Sequence, residues 1–512
     1  MEIESLSYRT FKNATYSFLN YAWPIVFSIF ITPLVVHRLG VVEYGVYVFL
    51  FTLTGFLSLI DFGFTLSLVK HISEYAALKK TSELTRLLGS ANLVYHVIGA
   101  VGFGVFFVLG KFFLTFFHIP TAGTSSLWVA FLFAGLAFFF NSTHLTHSIV
   151  PYAMQRFDIV TKVTIGQLTF FNLAMLVAVL LGFKLKIIFV LYAISMVGWA
   201  LAFRISLKKV LPDIHIGFAW DAAEVSKVYK FGILAAITNS TFSALLQLDK
   251  FLIPILIGPA QLTYYSLAGN VAQKTAGVTG SLGSIFFPLT SAVFSRGDMK
   301  KVGEIYKKAF RNLTLIAAAF SSSIVFFGYQ ILYFWLGKDF ADRSVAVLII
   351  LTGTYFLFSL YSPLYNFLLG LGRIKFLTIA SVSLASINIA LIFLLVPRGG
   401  IVGAAWAFLG GVILVPVLFY WTEQKILGLS GMAVFYFTLY GKLIITTIIY
   451  YALVKLFLLR LVTSLPTLIV VGPVSVMFYF ILYKILGFYE AEDWDLVLSF
   501  IKKIPARFGL VK

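Results

Sequence analysis

Apolar runs long enough to cross a bilayer recur along the whole chain, and this recurrence limits the fold more than any other feature. Hydrocarbon about 30 Å thick needs about twenty helical residues rising about 1.5 Å each. Fourteen such runs are read in the 512 residues: 13–36, 44–69, 87–110, 125–149, 161–183, 187–205, 231–257, 262–293, 312–336, 345–369, 377–396, 401–422, 434–458 and 467–487. They are continuous rather than alternating with period two, which selects helices over strands. A helix also bonds its backbone N–H and C=O groups within its own segment, as hydrocarbon demands. The pattern predicts an all-α polytopic membrane protein of about 14 transmembrane helices. The narrowest division falls at Pro397-Arg398-Gly399-Gly400, a short turn between the eleventh and twelfth runs.

Only 12% of the residues are charged and 60% are hydrophobic, against about 25% charged in soluble domains. The longest polar stretches, 206–230 and 488–512, fall short of the roughly 50 residues a domain needs. Both are expected to form amphipathic surface helices. In the tail, Trp494, Val497, Leu498 and Ile501 share one helical face, with acidic residues at the start and Lys502-Lys503 at the end. Residues 298–313 read similarly, with Asp298 as N-cap ahead of Met299, Val302, Ile305 and Tyr306.

Lys and Arg set the orientation. Twenty-seven of the 39 fall in tails, loops and the adjoining span ends (Lys162, Arg204, Lys484) on the side of the N-terminus, eight on the opposite side, and four deeper within spans (Lys250, Lys274, Lys442, Lys455). This places both termini in the cytoplasm of a multi-pass cell-membrane protein. The net charge of +19 then reads as a topogenic and lipid-headgroup signal rather than a nucleic-acid site, since no basic stripe sits on a soluble segment. The first apolar run is too long for a cleaved signal peptide and lacks a small-residue cleavage site. With no cysteine, disulfides and thiolate metal sites are excluded.

An internal repeat is visible. Leu39-Gly40-Val41-Val42-Glu43-Tyr44-Gly45-Val46-Tyr47 follows the first run, and Ile257-Gly258-Pro259-Ala260-Gln261-Leu262-Thr263-Tyr264-Tyr265 follows the seventh. Lys79-Lys80-Thr81-Ser82-Glu83-Leu84 later parallels Lys300-Lys301-Val302-Gly303-Glu304-Ile305. Runs one and seven start on the same side, so the repeat is parallel. The expected organisation is two pseudo-twofold-related six-helix lobes, 1–210 and 211–430, then two further helices in 431–487 and the tail 488–512. Such architectures bind substrate between lobes.

Polar residues line single faces of certain spans. The eighth carries Ser266, Asn270, Gln273, Lys274, Gly277, Ser281 and Ser284, within an arc of roughly 100° at about 100° per residue. The seventh carries Asn239, Ser243, Gln247 and Lys250; the second Tyr47, Thr54, Ser58, Asp61 and Thr65; the first Asn13, Ser17, Asn20 and Ser28 around Pro24. Lys274 lies too far from either end of its span to snorkel, so its charge calls for water or a partner. Helix packing explains small residues, but not a lysine beside Asn and Gln. The stripes are therefore read as walls of a hydrated cavity. Asp61 and Asp249 are candidate proton or cation sites, Asp61 alternatively capping a helix break beside Gly63. Pro24 and Pro33 are candidate hinges of a gate. Lys442 and Lys455 lie within snorkelling reach of the interfaces.

Other chemistries lack their residues. No phosphate-binding loop is present, and no cofactor is called for. His144 and His147 have metal-like spacing without a third ligand, so no metal site is assigned. Asp493-Trp494-Asp495 resembles a glycosyltransferase metal pair but lacks the fold such a pair needs.

Read together, Leu39-Gly40 to Tyr47, Asp61-Phe62-Gly63-Phe64, the stretch around Asp249-Lys250, Phe287-Pro288-Leu289, Leu369-Gly370-Leu371-Gly372-Arg373 and Pro397 to Ala405 resemble Wzx-type polysaccharide flippases. These belong to the multidrug/oligosaccharidyl-lipid/polysaccharide exporter superfamily, and the similarity covers about residues 8–425. Thr263 stands where the second repeat usually has glycine. The resemblance implies a two-lobed flippase, not an enzyme. It would turn a polyprenyl-diphosphate-linked oligosaccharide from the cytoplasmic to the outer leaflet by alternating access, driven by an ion gradient or the membrane potential.

With that substrate, Lys274 and Lys250 are expected on phosphates or acidic sugars, and Asn270, Gln273, Asn239, Gln247 and Ser243 on sugars. The expected partners are the lipid-linked oligosaccharide, membrane lipid and glycan-assembly proteins, the chain itself being a monomer. A lipid II flippase and a multidrug or cation antiporter are the alternatives within the superfamily. A membrane glycan polymerase, ligase or glycosyltransferase is the alternative outside it, disfavoured by the short loops.

Overall fold

A computed structural model describes residues 6–489 apart from 62, 117–123, 213, 215, 284–285 and 296; side chains are left out chiefly at 6–22, 113–126 and most of 231–245. Among the described residues the chain is helical, without a strand. It divides into two compact units, Met1–Thr263 and Tyr264–Lys512. Ten helical stretches among the described residues are long and apolar enough to cross a membrane. One of them, Lys375–Lys425, takes in both the eleventh and twelfth predicted spans. The first, seventh and eighth predicted spans each include residues whose side chains are left out, and lie outside the ten. The chain is a polytopic helical membrane protein.

The first unit contains α1 (Leu6–Leu39), α2 (Val41–Ser58), α3 (Phe64–Ala77), α4 (Thr81–Phe116), α5 (Thr124–Thr143), α6 (Leu145–Ala153), α7 (Phe157–Leu180), α8 (Leu185–Val210), α9 (Ala222–Leu245) and α10 (Leu248–Ile257). Here α4 packs on α5, α5 on α8, and α7 on both α1 and α8. A buried cluster from α3, α4, α6 and α9, including Phe64, Leu68, Ile72, Leu88, Tyr95 and Val228, forms its apolar centre.

Residues 206–230 are not a surface helix. Instead α8 runs on to Val210, a short link follows, and α9 starts at Ala222. The link is held to α4: Asn92 Nδ2 donates to Gly217 O at 3.1 Å, and Asp221 N donates to Ser90 Oγ at 2.9 Å. Val225 and Val228 are buried against α3 and α4. The apolar contact and the bonded backbone outweigh the solvation that the polar composition suggested.

Next, α11 (Pro259–Ala272) begins in the first unit and ends in the second. The second unit continues with α12 (Lys274–Gly283), α13 (Phe286–Phe294), α14 (Met299–Leu336), α15 (Lys338–Gly370), α16 (Ile374–Val412), α17 (Val415–Lys425), α18 (Met432–Leu453) and α19 (Leu465–Ile485). Asp298 caps α14 as expected, accepting from Lys301 N at 3.0 Å. At 38 residues, α14 is about 57 Å long and overshoots the hydrocarbon; its first turns are the stretch read as amphipathic. Inside α16, Gly400 takes φ 57° and ψ −139°, so the helix turns at the expected Pro-Arg-Gly-Gly site. The C-terminal amphipathic helix and the Asp493-Trp494-Asp495 motif lie outside the described residues.

The two halves of the sequence repeat share a backbone signature. Gly40 has φ 81° and ψ 163°, and Gly258 has φ 93° and ψ 159°. Positive φ is cheap only for glycine, which explains why this residue recurs where each preceding helix stops.

Candidate functional site

In the first unit, the candidate polar residues gather along α2, α3 and the break between α9 and α10. Thr54 and Ser58 donate to Leu50 O and Thr54 O, one turn back in their own helix. Beyond them a 3-10 turn, Leu59–Asp61, and Gly63 at φ 73° redirect the chain into α3. Both Asp61 carboxylate oxygens accept from Thr65 N at 3.2 Å. The Tyr95 hydroxyl lies 2.6 Å from Thr65 Oγ1 and 3.5 Å from Asp61 Oδ1. Asp61 thus caps the helix break, and a buried tyrosine completes its shell.

The seventh span is not one helix. It stops at Leu245 and resumes at Leu248, with Gln247 at φ −130°. A face calculated for an unbroken helix does not carry from Ser243 to Lys250. The break sets Gln247 against α2: its carboxamide atoms lie 3.2 Å from where a Cβ on Gly55 would stand. Asp249 is 3% exposed, and its Oδ1 accepts from Lys250 N at 2.7 Å. Phe251 stacks on Phe49 with ring centroids 5.7 Å apart and meets Phe56 at 5.1 Å. Gln247, just ahead of α10, and Asp249 and Lys250, within it, are thereby held against α2. Ser243 is half-buried; the side chains of Asn239, Asn13, Ser17 and Asn20 lie outside those described.

Of the hinge candidates, Pro24 and Pro33 both lie inside α1, which stays helical through them. The adjacent Trp23 donates to Thr169 Oγ1 of α7 at 2.8 Å.

In the second unit, Gln273 separates α11 from α12 without breaking the hydrogen-bond run. Gln273 N donates to Gly269 O at 2.8 Å, and Gly277 N to Gln273 O at 3.0 Å. Helical register is therefore kept, and Asn270, Gln273 and Lys274 occupy one turn. Asn270 and Lys274 are exposed, Gln273 is half-buried and Ser266 is buried. On the buried side, α12 packs on α14 and α15. The structure so arranged offers ammonium, amide and hydroxyl donors in both units, Lys250 in the first and Lys274 in the second.

Two polar clusters carry no mark in the sequence reading. In the first unit, Lys227 Nζ donates to Tyr75 OH at 2.7 Å, and Tyr75 OH donates to Glu224 at 2.9 Å. In the second, Glu423 meets Tyr306 and Tyr436. Glu224 and Lys227 at i, i+3 on one helix were a local signal. Tyr306 stands 117 residues from Glu423, beyond any periodicity. His144, set aside as a metal ligand, stacks on Trp199 with centroids 4.0 Å apart.

Comparison with known proteins adds three findings. A family model described as "Polysaccharide biosynthesis protein" matches residues 35–345. A Shigella flexneri protein named "Putative O-antigen transporter" is 20% identical over 423 residues, covering 81% of this chain and 97% of its own length. Among solved structures, the lipid II flippase MurJ in an inward closed conformation aligns with a TM-score of 0.67 at 14% identity, over 93% of this chain and 99% of that one. An inward-facing multidrug transporter of the MATE family aligns at 0.65 and 13% identity, over 81% and 96%. At such identities the two structures establish a shared fold.

Proposed function

The chain belongs to the polysaccharide biosynthesis protein family, and on that premise we propose that it is a flippase. Its cargo is a polyprenyl-diphosphate-linked oligosaccharide, turned from the cytoplasmic to the outer leaflet by ion- or potential-driven alternating access. The observation that carries this reading is the family match together with a relative, named for O-antigen transport, alike over nearly its whole length.

The chemistry of the polar helices supports it. A sugar–diphosphate headgroup is anionic and rich in hydroxyls, so it needs ammonium and amide donors, while its polyprenyl chain stays in lipid. Lys250 and Lys274 take the phosphates or acidic sugars; Gln247, Asn239, Ser243, Asn270 and Gln273 take the neutral sugars. Lysines disfavour the organic cations of a multidrug antiporter. Asp61 and Asp249 are the coupling candidates and Pro24 and Pro33 the hinges. Residues 1–210 and 211–430 are the two lobes, with both termini in the cytoplasm of the cell membrane. The chain works as a monomer beside glycan-assembly proteins.

Lys274→Ala tests the reading. It is expected to abolish complementation of a strain lacking its own flippase while membrane abundance stays normal. Full complementation by that variant would refute the assignment of Lys274.

A further inference from the structure

Glu423 is 0% exposed and lies within the Lys375–Lys425 membrane stretch. Its two carboxylate oxygens have unlike surroundings. Oε1 accepts the Tyr306 hydroxyl of α14 at 2.6 Å and also the Tyr436 hydroxyl of α18. Oε2 is buried and has no hydrogen-bond partner among the described residues. No Lys, Arg or His lies within ion-pair distance of it among those residues. A buried carboxylate with one bare oxygen and no cation at ion-pair distance, the charge of Lys307 acting only from farther off, is among the costliest arrangements in a protein interior. A carboxylic acid fits the same geometry: Oε1 is then the carbonyl, accepting both tyrosine hydroxyls, and Oε2 carries the hydrogen.

We propose that Glu423 is a proton-binding site of the second unit, at the meeting of α14, α17 and α18. Uptake adds one proton to Oε2 and converts carboxylate to carboxylic acid; no other bond forms or breaks. The groups facing it are Tyr306 and Lys307 from α14, and Tyr436 and Tyr440 from α18. Tyr440 stacks on Tyr436 with centroids 5.9 Å apart. Among the described residues, α15, which also packs on α17, presents no titratable partner. A metal cation fits poorly. It needs several oxygen ligands, but no other carboxylate or His joins Glu423 in a ligand cluster among the described residues. Lys307 adds like charge nearby. A proton needs only Oε2. The proposal goes beyond the flippase reading and does not depend on it, and it differs from Asp61 and Asp249, whose oxygens accept backbone N–H groups.

The test is infrared difference spectroscopy of the full-length chain in lipid nanodiscs across a pH titration. The wild type is expected to show a protonated-carboxyl carbonyl band at neutral pH that Glu423→Gln removes. Gln mimics the neutral acid, so Glu423→Gln should unfold at the wild-type temperature. Tyr306→Phe or Tyr436→Phe removes a donor that favours the anion more than the acid, so the band should persist to higher pH. Absence of a Glu423-dependent band, or marked destabilisation by Gln, would overturn the proposal. A titration midpoint unmoved by both tyrosine variants would do the same.

Discussion

The Thr263 hydroxyl donates to Val41 O at 2.6 Å, joining the second copy of the sequence repeat to the first across 222 residues. Beside it, a Cβ on Gly45 would stand 1.8 Å from Pro259 O and 3.1 Å from Thr263 Oγ1. Within the first unit, the start of α2 and the start of α11 therefore touch at equivalent repeat positions. One copy needs glycine to admit the other's backbone; the other needs a hydroxyl to satisfy a carbonyl. The departure of Thr263 from glycine is thus explained by its neighbour. Gly45→Ala is expected to destabilise the fold by about 3 kcal/mol or more, since backbone cannot step aside. Thr263→Val should cost about 1 kcal/mol. Thermal unfolding in detergent reads both, and a Gly45→Ala melt equal to wild type would contradict the contact.

Asp61 separates a structural role from a coupling one. As a cap on α3 its carboxylate is replaceable by Asn, whereas Asp61→Ala should cost about 1 kcal/mol. If Asp61 also couples an ion, Asp61→Asn keeps wild-type stability and loses the pH or sodium dependence of transport. Unchanged transport with unchanged ion dependence would leave only the cap.

His71, near the end of α3, is buried. Burial first, then the charges of Lys227 and Lys70, push its proton affinity below the ordinary imidazole range, against an opposite pull from Glu74 and Glu224. The folded value being depressed, the neutral ring's contribution is complete above about pH 6.5. It is lost as pH falls from there toward the folded value. Melting temperature is expected to drop across that acidic window, with a shallower drop in His71→Gln. Equal slopes for the two proteins would remove His71 as a cause.

The last two helices are attached to α14 and to each other by hydroxyls. Tyr450 OH lies 2.8 Å from Ser323 Oγ, Ser475 Oγ donates to Ser323 Oγ at 3.2 Å, and Thr447 Oγ1 lies 2.9 Å from Tyr479 OH. Interhelical hydrogen bonds in membranes average about 0.6 kcal/mol, so Tyr450→Phe should lower stability only by about that much. Ser475 is fully buried, and Ser475→Leu overfills the seam at about 1–3 kcal/mol. Thermal unfolding of the two variants should rank them in that order; a reversed order would show that hydrogen bonds, rather than close packing, hold α19 in place.

Of the candidate site, the sequence makes legible the helical register of its polar faces only where the helix is unbroken. The polar face of the eighth span survives because Gln273 keeps the helical hydrogen-bond run. That of the seventh does not, because the chain breaks at Gln247. Nothing local announces the break: no proline or glycine stands there, and the carboxamide of Gln247 finds its place against Gly55 on another helix. Asp61 was readable as a cap beside Gly63, but the Tyr95 hydroxyl that completes its shell comes from α4.

What the chain determined unaided is its class: helices of membrane-crossing length, their order, and the glycines at which they stop. Those properties are local, because hydrocarbon forces each segment to bond its own backbone and each turn to use its own residues. Only the tertiary structure decided which polar groups meet. Glu423 finds Tyr306 across 117 residues, and Thr263 finds Val41 across 222. A buried polar atom takes its partner from whichever helix packs against it, and that neighbour is chosen by the bundle as a whole.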